Sequence, residues 1–512
     1  MLEKKTAMIK KKGFDKDKYL AEQSEHIIKR AENSGGKLYL EFGGKLVFDY
    51  HAARVLPGFD PNAKIRLLQK LKNQADIILC VNSGDIEQKK IRADFGITYD
   101  VDTLRLIDDL RKWDLDVLAV VITRFNKQPV VQQFRNRLER RNIKTYTHHS
   151  IPGYPSNIDI ITSEKGYGAN AYIETSKPIV VVAAPGPGSG KMAICLSQLY
   201  HDYKKGIRSA YAKFETFPIW NLDIKHPVNI AYEAATADIG DFNMVDSFHL
   251  KAYGETAVNY NRDVEAFPLL KRILKHITGT DLVYMSPTDM GVNRAGFAIT
   301  DDAVVREAAK QEIIRRSFRY QCEYAMGFIE RDTVTRAESL MKEAGAKPED
   351  RRVVKPAKEA AEEARIKHKG SDGIFCGAAI ELNEGTIIKG YNSPLMHASS
   401  SLILNAIKKC TGIPDQVHLL TNHVLDSIGS LKEKILNKKT PSLDLAETLI
   451  ALSVSSTVNS AAALAVEQLS KLNNTDMHIT HIPTPGDEAG LKRLGINVTS
   501  EPNFPSKNLF IS

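Results

Sequence analysis

The chain has 512 residues, too many for one compact core, so two to four domains are expected. Hydrophobic residues make up 43% and charged residues 26%, an ordinary globular balance, and a net charge of +8 over this length forms no concentrated basic patch of the kind that marks nucleic-acid binding. No apolar run approaches the roughly 18–20 residues of a membrane span, no apolar region follows the N-terminal lysines as a signal peptide requires, and five widely separated cysteines point to free thiols in a reducing cytoplasm.

Strands and helices alternate through the first half, which predicts α/β layering over a mainly parallel sheet. Strands are expected at 37–42, 76–81, 117–123 and 143–147, with helices over 15–33, 62–72, 101–112 and 128–141. Residues 152–176 carry Pro, Gly, Tyr and Asn without periodicity and read as a linker or surface loop. A valine-rich strand at 178–183 then feeds a glycine turn and a helix from about Gly190 to Lys205, where Ile194, Cys195, Leu199 and Tyr203 keep helical spacing. Another strand is expected at 209–214, followed by a helix-rich stretch to about 327.

Residues 331–370, dominated by Lys, Arg, Glu and Ala, read as two exposed helices bridging two lobes. Beyond them, Ile374–Ile380 and Thr386–Tyr391 flank the turn Asn383-Glu384-Gly385 as a hairpin. Helices over 395–409, 421–436 and 443–471 and strands at 477–482, 496–499 and 508–511 complete a second α/β domain. The expected fold is α/β, with mainly parallel three-layer sheets: a Rossmann-like or P-loop-like N-terminal lobe and a smaller C-terminal α/β lobe. The expected divisions are 1–175, 176–330, 331–370 and 371–512.

The run Ala184-Pro185-Gly186-Pro187-Gly188-Ser189-Gly190-Lys191-Met192 points to a ligand class. Glycines let successive backbone N–H groups turn toward an anion, the following helix adds partial positive charge, and Lys191 adds a mobile ammonium. Gly186, Gly188, Ser189, Gly190 and Lys191 are therefore candidate binding residues for ATP or another phosphate-bearing small molecule. Pro185 replaces the first glycine of the strict pattern, and Met192 and Ala193 stand where a Mg²⁺-binding hydroxyl is usual. Mg²⁺ remains an option through Glu or Asp. The alternative is a tight turn that binds nothing.

Lys213 and Glu215, two apart at a strand end, share one face and are candidates for acid–base work, with Arg262 and Asp289 beside them. Lys45, His51, Arg54, Asn261, Thr288 and Asn293 are candidate substrate contacts; the polar residues also read as caps or turns, and His51 reads first as a satisfied structural histidine. The helix starts at Ser393–Ser399 and Thr484–Asp487 offer two further anion positions or simple caps. There is no H-E-x-x-H and no C-x-x-C, and His478 and His481 fall on opposite faces of a strand, so no metal site is expected.

The runs LYLEFGGK, DYHAARVLPGFDP, FGITYDVDTLRLIDDLR, APGPGSGKM, KFETFPIWN, VNYNRDVEAFP and SPTDMGVN resemble those of an uncharacterised bacterial protein family over nearly the whole chain. The resemblance implies a bacterial cytoplasmic protein with a P-loop-like element and no established reaction. The expected function is phosphoryl or nucleotidyl transfer on a small molecule. A non-catalytic nucleotide or phosphometabolite sensor and a sugar-phosphate transferase or isomerase stand as alternatives, and an oligomer is possible.

Overall fold

Apolar runs of five to eight residues, too short for helices, become strands buried on both faces. They are β1 (Lys37–Phe42), β2 (Ala75–Asn82), β3 (Ala119–Thr123), β4 (Thr145–Thr147), β5 (Ile179–Ala183) and β6 (Ser209–Phe214), of which β4 is shorter and half-buried. The computed structural model describes residues 11–92, 96–280, 284–371, 373–438 and 440–506. The chain divides into two units, Lys12–Ala309 and Lys310–Ser512, with Met1–Lys11 counted in the second.

The six strands form one sheet in the order β4-β3-β2-β5-β1-β6, and every neighbouring pair is parallel. Helices α1 (Lys16–Asn33), α2 (Ala63–Lys70), α3 (Tyr99–Lys112), α4 (Pro129–Glu139), α5 (Lys191–Lys204) and α6 (Asn261–Thr278) supply the layers around it. Helix α1 starts at Asp15, whose carboxylate accepts from the amides of Asp17 and Lys18, and it buries Tyr19, Leu20, Gln23, Ile27 and Ala31 along one stripe. On one face of the sheet, Tyr39, Val180, Val182 and Tyr211 join Ile194 and Leu199 of α5 and Phe267, Leu270 and Ile273 of α6 in a single core.

Residues 152–176, expected as a linker or surface loop, run over the surface of that core and are anchored in it. Ile158, Ile161, Tyr167 and Ile173 are buried in it. Gln198 of α5 accepts from the amide of Ile173 and donates to the carbonyl of Ala171, and Ser197 donates to the carbonyl of Tyr167. Such a segment is anchored by scattered apolar residues and by side chain-to-backbone bonds, so it carries no period to detect. The expected helix-rich stretch after β6 also holds a short antiparallel pair, Asn243–Val245 with Val258–Tyr260.

In the second unit, helices α7 (Arg331–Glu343) and α8 (Val354–Ile366) precede the hairpin β7 (Gly377–Glu381) and β8 (Ile387–Tyr391). Helices α9 (Ala398–Thr411), α10 (Asn422–Lys434), α11 (Leu445–Ser455) and α12 (Ser460–Glu467) follow, then β9 (Asp476–Ile479), α13 (Pro485–Arg493) and β10 (Asn497–Ser500). The sheet order is β8-β7-β9-β10, antiparallel except between β9 and β10. The helix expected over 443–471 is broken by Asn459, whose side chain caps α12 by accepting from the amides of Ala461 and Ala462. The strand expected at 508–511 lies outside the described residues.

Helix α8 is not the exposed half of a charged bridge. Val354, Ala357, Ala360 and Ala364 are buried, and Ala357 packs with Val353, Ala379 and Ile387. Alanines at i, i+3 and i+7 make a face small enough for close approach to the sheet, while the intervening Lys and Glu face outward. A Cβ on Gly377 of β7 would stand 2.2 Å from the carbonyl oxygen of Ala357. Gly377→Ala is therefore expected to destabilise the chain by about 1–3 kcal/mol, read as an earlier transition in urea; an unchanged midpoint would show that α8 does not seat on β7.

Candidate functional site

Because the N-terminal sheet is all parallel, its six carboxyl ends lie on one edge. The chain leaves β1 toward β2 and leaves adjacent β5 toward β6, in opposite directions along the sheet. Right-handed crossovers put those two connections on opposite faces and open a crevice between them. The glycine turn leaves β5 at this point, and Gly43, Gly44 and Lys45 leave β1 beside it.

The turn is held from below. Thr123 at the end of β3 donates to the carbonyl of Ser189 at 2.8 Å, and Ser189 Oγ donates to the carbonyl of Gly186 at 2.7 Å. The Tyr99 ring lies where a Cβ on Gly186 would fall. Gly188 and Gly190 take φ of 67° and 86°, a left-handed geometry that L side chains resist. Alternating glycine conformations of this kind turn amides to one side and form an anion-binding concavity. Among the described residues, the amides of Gly188 through Ala193 donate to no acceptor. They are half-exposed or exposed except at Ser189, so they remain open to an acceptor from outside the loop.

Lys191 opens α5 and reaches toward the sheet, its Nζ 4.0 Å from Glu41 Oε1. Glu41 accepts from Tyr211 OH at 2.6 Å and stands opposite Lys213 in the β1–β6 register. Lys213 Nζ donates to both oxygens of Asp263, at 2.7 and 2.8 Å, contacts Tyr260 OH and lies 3.2 Å from Glu215 Oε1. Glu215 rests on Gly43, where a Cβ would come within 2.3 Å of its side chain. Lys64 closes the group, donating to the carbonyl of Gly43 at 2.7 Å.

Burial alone would discharge Lys213; Asp263 and Glu215 outweigh it and hold the ammonium charged well above the usual lysine range. Burial raises Glu215 above the usual carboxylate range, Asp263 and Glu41 add to this, and Lys213 and Lys191 work against it. The pair thus offers a firmly charged cation beside a carboxyl group that takes a proton more readily than usual. A cavity of about 50 Å³ opens on them, with Trp220, Asn259, Asp263 and Asn293 in its wall.

Of the other residues singled out in the sequence, Thr288 and Asn293 line this cavity, with their polar atoms engaged elsewhere. Thr288 donates to Asp246 at 2.7 Å, and Asn293 donates to the carbonyl of Thr216 at 2.8 Å, tying down the segment after β6. Arg262 is clamped on Asp241 at 2.6 Å and does not line the cavity. Asn261 accepts from the amide of Phe242, and Asp289 accepts from Tyr253 OH at 2.6 Å and from the amide of Met285. Lys45 and Arg54 are half-buried and do not line the cavity; nor does His51, buried with its ring edge-on to Phe217.

Asp263, Tyr260, Glu41, Tyr211 and Lys64 are the members that the sequence did not single out for a role. For Glu41 a signal was present, a charged residue on the same face as Tyr39 between the apolar Leu40 and Phe42 of the strand. Asp263 sits one residue from Arg262, and only the start of α6 decides which of the two turns toward β6. For a metal ion, no group of three or more His, Cys, Asp or Glu side chains is suitably placed among the described residues.

The two helix starts of the second unit, 393–399 and 484–487, do come together, and the anion they surround is the protein's own. Asp487 accepts from His397 Nδ1 at 2.7 Å, Ser399 Oγ at 2.5 Å, Thr484 Oγ1 at 2.8 Å and the amide of Leu445 at 2.9 Å. Burial opposes both charges. The His397 and Asp487 bond overcomes it, raising the histidine above its usual range and lowering the aspartate below its own.

These features define a two-unit α/β protein with a polar site at the carboxyl edge of an all-parallel sheet. Residues 12–345 match the family model described as "Domain of unknown function DUF1846, N-terminal", and residues 349–510 match its C-terminal counterpart. The chain belongs to this family. It is 55% identical over 499 residues to a UPF0371 protein of Clostridium botulinum (strain Langeland / NCTC 10281 / Type F), spanning 97% of this chain and 99% of the relative. It is 53% identical to a UPF0371 protein of Clostridium tetani (strain Massachusetts / E88) over 498 residues, with the same coverage. No helix among the described residues is long and apolar enough to cross a membrane.

Two expectations follow from the buried charges. Lys213→Met strands two carboxylates and should cost about 3–5 kcal/mol at neutral pH. Glu215, which burial already raises, then loses the charge that opposes the rise, so the deficit should shrink as pH falls toward 4, which denaturation at several pH values reads directly; a pH-independent deficit would contradict the pairing. For His397→Gln, the stability lost should be largest between the ordinary aspartate and histidine ranges, 3.8 and 6.5, and should fade as pH rises through the raised folded pKa. A loss that grows with alkaline pH would refute the His397 and Asp487 assignment.

Proposed function

We propose that the N-terminal unit is an enzyme unit that binds a phosphate-bearing small molecule, with the phosphate on the amides of Gly188 through Ala193 and the reacting end toward Lys213 and Glu215. The observation that carries this reading is the row of amides without acceptors, turned out by two left-handed glycines at the carboxyl edge of the sheet. Lys191, which stands beside Glu41, is one side-chain swing from the same anion. The loop's task is positioning and charge stabilisation. Glu215 is the group suited to exchange a proton with the ligand, and Lys213 is suited to stabilise negative charge.

A nucleotide engages such amides as readily as a sugar phosphate does, so phosphoryl or nucleotidyl transfer and sugar-phosphate chemistry both remain within this reading. Mg²⁺ would arrive with the nucleotide, since Met192 and Ala193 supply no hydroxyl. A sensor without turnover would use the same loop and leave Glu215 idle. The five free thiols are in keeping with a reducing cytoplasm.

Thermal-shift measurements on the full chain test the proposal, with inorganic phosphate, ADP and ATP with and without Mg²⁺, and phosphorylated metabolites as probes. A ligand at 100 times its Kd stabilises by about 2.7 kcal/mol, enough to raise the Tm by several degrees. Lys191→Ala should reduce that rise while leaving the unliganded Tm within about a degree. If no phosphate compound shifts the curve, the loop is a plain turn and the proposal is wrong.

A further inference from the structure

We infer that the ligand of this site is a hydroxylated carbon chain carrying a single phosphate, an aldose, ketose or alditol monophosphate, with its hydroxyl end in the cavity beside Lys213 and Glu215. The inference rests on the phosphate reading above and adds what the other end of the ligand must be.

Size limits the occupant. The cavity is about 50 Å³, and at one water-sized group per 10–15 Å³ of such space it takes roughly four non-hydrogen atoms. That is room for a short polar chain end.

Distance sets the length. Strands β5 and β6 flank β1, so at 4.7–4.9 Å per strand their axes lie about 10 Å apart, which sets the scale of the gap from the loop after β5 to Lys213 on β6. At about 3.5 Å per three bonds of extended chain, roughly eight or nine bonds span that gap. An extended hexose or hexitol 6-phosphate, with about eight bonds from phosphorus to its far oxygen, has that length.

Charge and hydrogen bonding set the chemistry. The polar wall holds two carboxylates, Glu215 and Asp263, with Lys213 between them and already bonded to Asp263. A second phosphate or a carboxylate entering here would meet more negative charge than positive. Hydroxyl groups fit, because each can donate to a carboxylate and accept from an amide. Glu215 Oε1 is engaged with Lys213 and Tyr260, and no described residue bonds Oε2. The Asn259 Oδ1 accepts from the Tyr260 amide, and its NH₂ likewise has no partner among the described residues. One acceptor and one donor are thus open in the wall of a small cavity. Trp220, Phe217, Pro218 and Val258 complete the wall with apolar surface, which suits the C–H faces of a sugar chain.

The test compares affinities of the full-length protein for inorganic phosphate, a hexose 6-phosphate, a hexitol 6-phosphate, a hexose 1,6-bisphosphate, AMP and unphosphorylated hexose. The expected result is that a monophosphorylated sugar or alditol binds at least tenfold tighter than inorganic phosphate and tighter than the bisphosphate or AMP. Glu215→Gln and, separately, the half-exposed Asn259→Ala should lower that affinity toward the level of inorganic phosphate and leave inorganic phosphate unchanged, whereas Lys191→Ala should weaken both. Equal affinity for sugar monophosphate and inorganic phosphate, or preference for AMP or the bisphosphate, overturns this inference while the phosphate loop stands. Binding of no phosphate compound overturns the loop reading itself, and this inference with it.

Discussion

Strands that all run the same way can be joined only by connections that travel back along the sheet, and that constraint organises the N-terminal unit. It forces a helix or covering segment between successive strands, buries the strands on both faces, and collects every strand's carboxyl end on one edge. The insertion of β5 between β2 and β1 then sends neighbouring connections in opposite directions. The glycine turn, Glu41, Lys213 and Glu215 are near one another because of this order, and not because they are near in sequence.

The buried charges at that edge work against stability. Moving a carboxylate or ammonium out of water costs several kcal/mol even after relaxation, and well-packed apolar residues would commonly serve a fold as well or better. Here Lys213, Glu215, Asp263, Glu41 and Lys191 are gathered within reach of one another beside a cavity. Each charge has an opposite partner, and hydrogen bonds from Tyr211 and Tyr260 help to offset the loss of water. In the second unit the same physics has a different outcome. Asp487 fills the meeting point of three helix starts so fully, with four donors on its two oxygens, that no outside anion is needed.

The elements of the first half could be read from sequence because their apolar runs carry a strong period: β1 and β6 match their expected bounds, and α1 and α5 differ by a residue or so at their ends. What misled was sequence without a period. Residues 152–176 pack by isolated anchors, and α8 hides an alanine face among charges, so composition suggested exposure where the structure has burial. In the site, Lys213 and Glu215 were legible from their place at a strand end, and the loop from its glycines. Arg262 was chosen where its neighbour Asp263 is the partner, because a helix start turns adjacent side chains by about 100° and only one of them faces β6.

By itself the sequence determined the α/β class, the glycine turn between a valine strand and a helix, and the absence of the hydroxyl that usually follows its lysine. These depend on local chemistry, on periodicity and on which residues tolerate a left-handed backbone. Only the tertiary structure decided that Glu41, Lys191, Lys213, Glu215 and Asp263 form one group and that Arg262, Asn261 and Asp289 serve the framework. Strand order and register bring together residues more than two hundred positions apart, and no local pattern encodes which strand lies beside which.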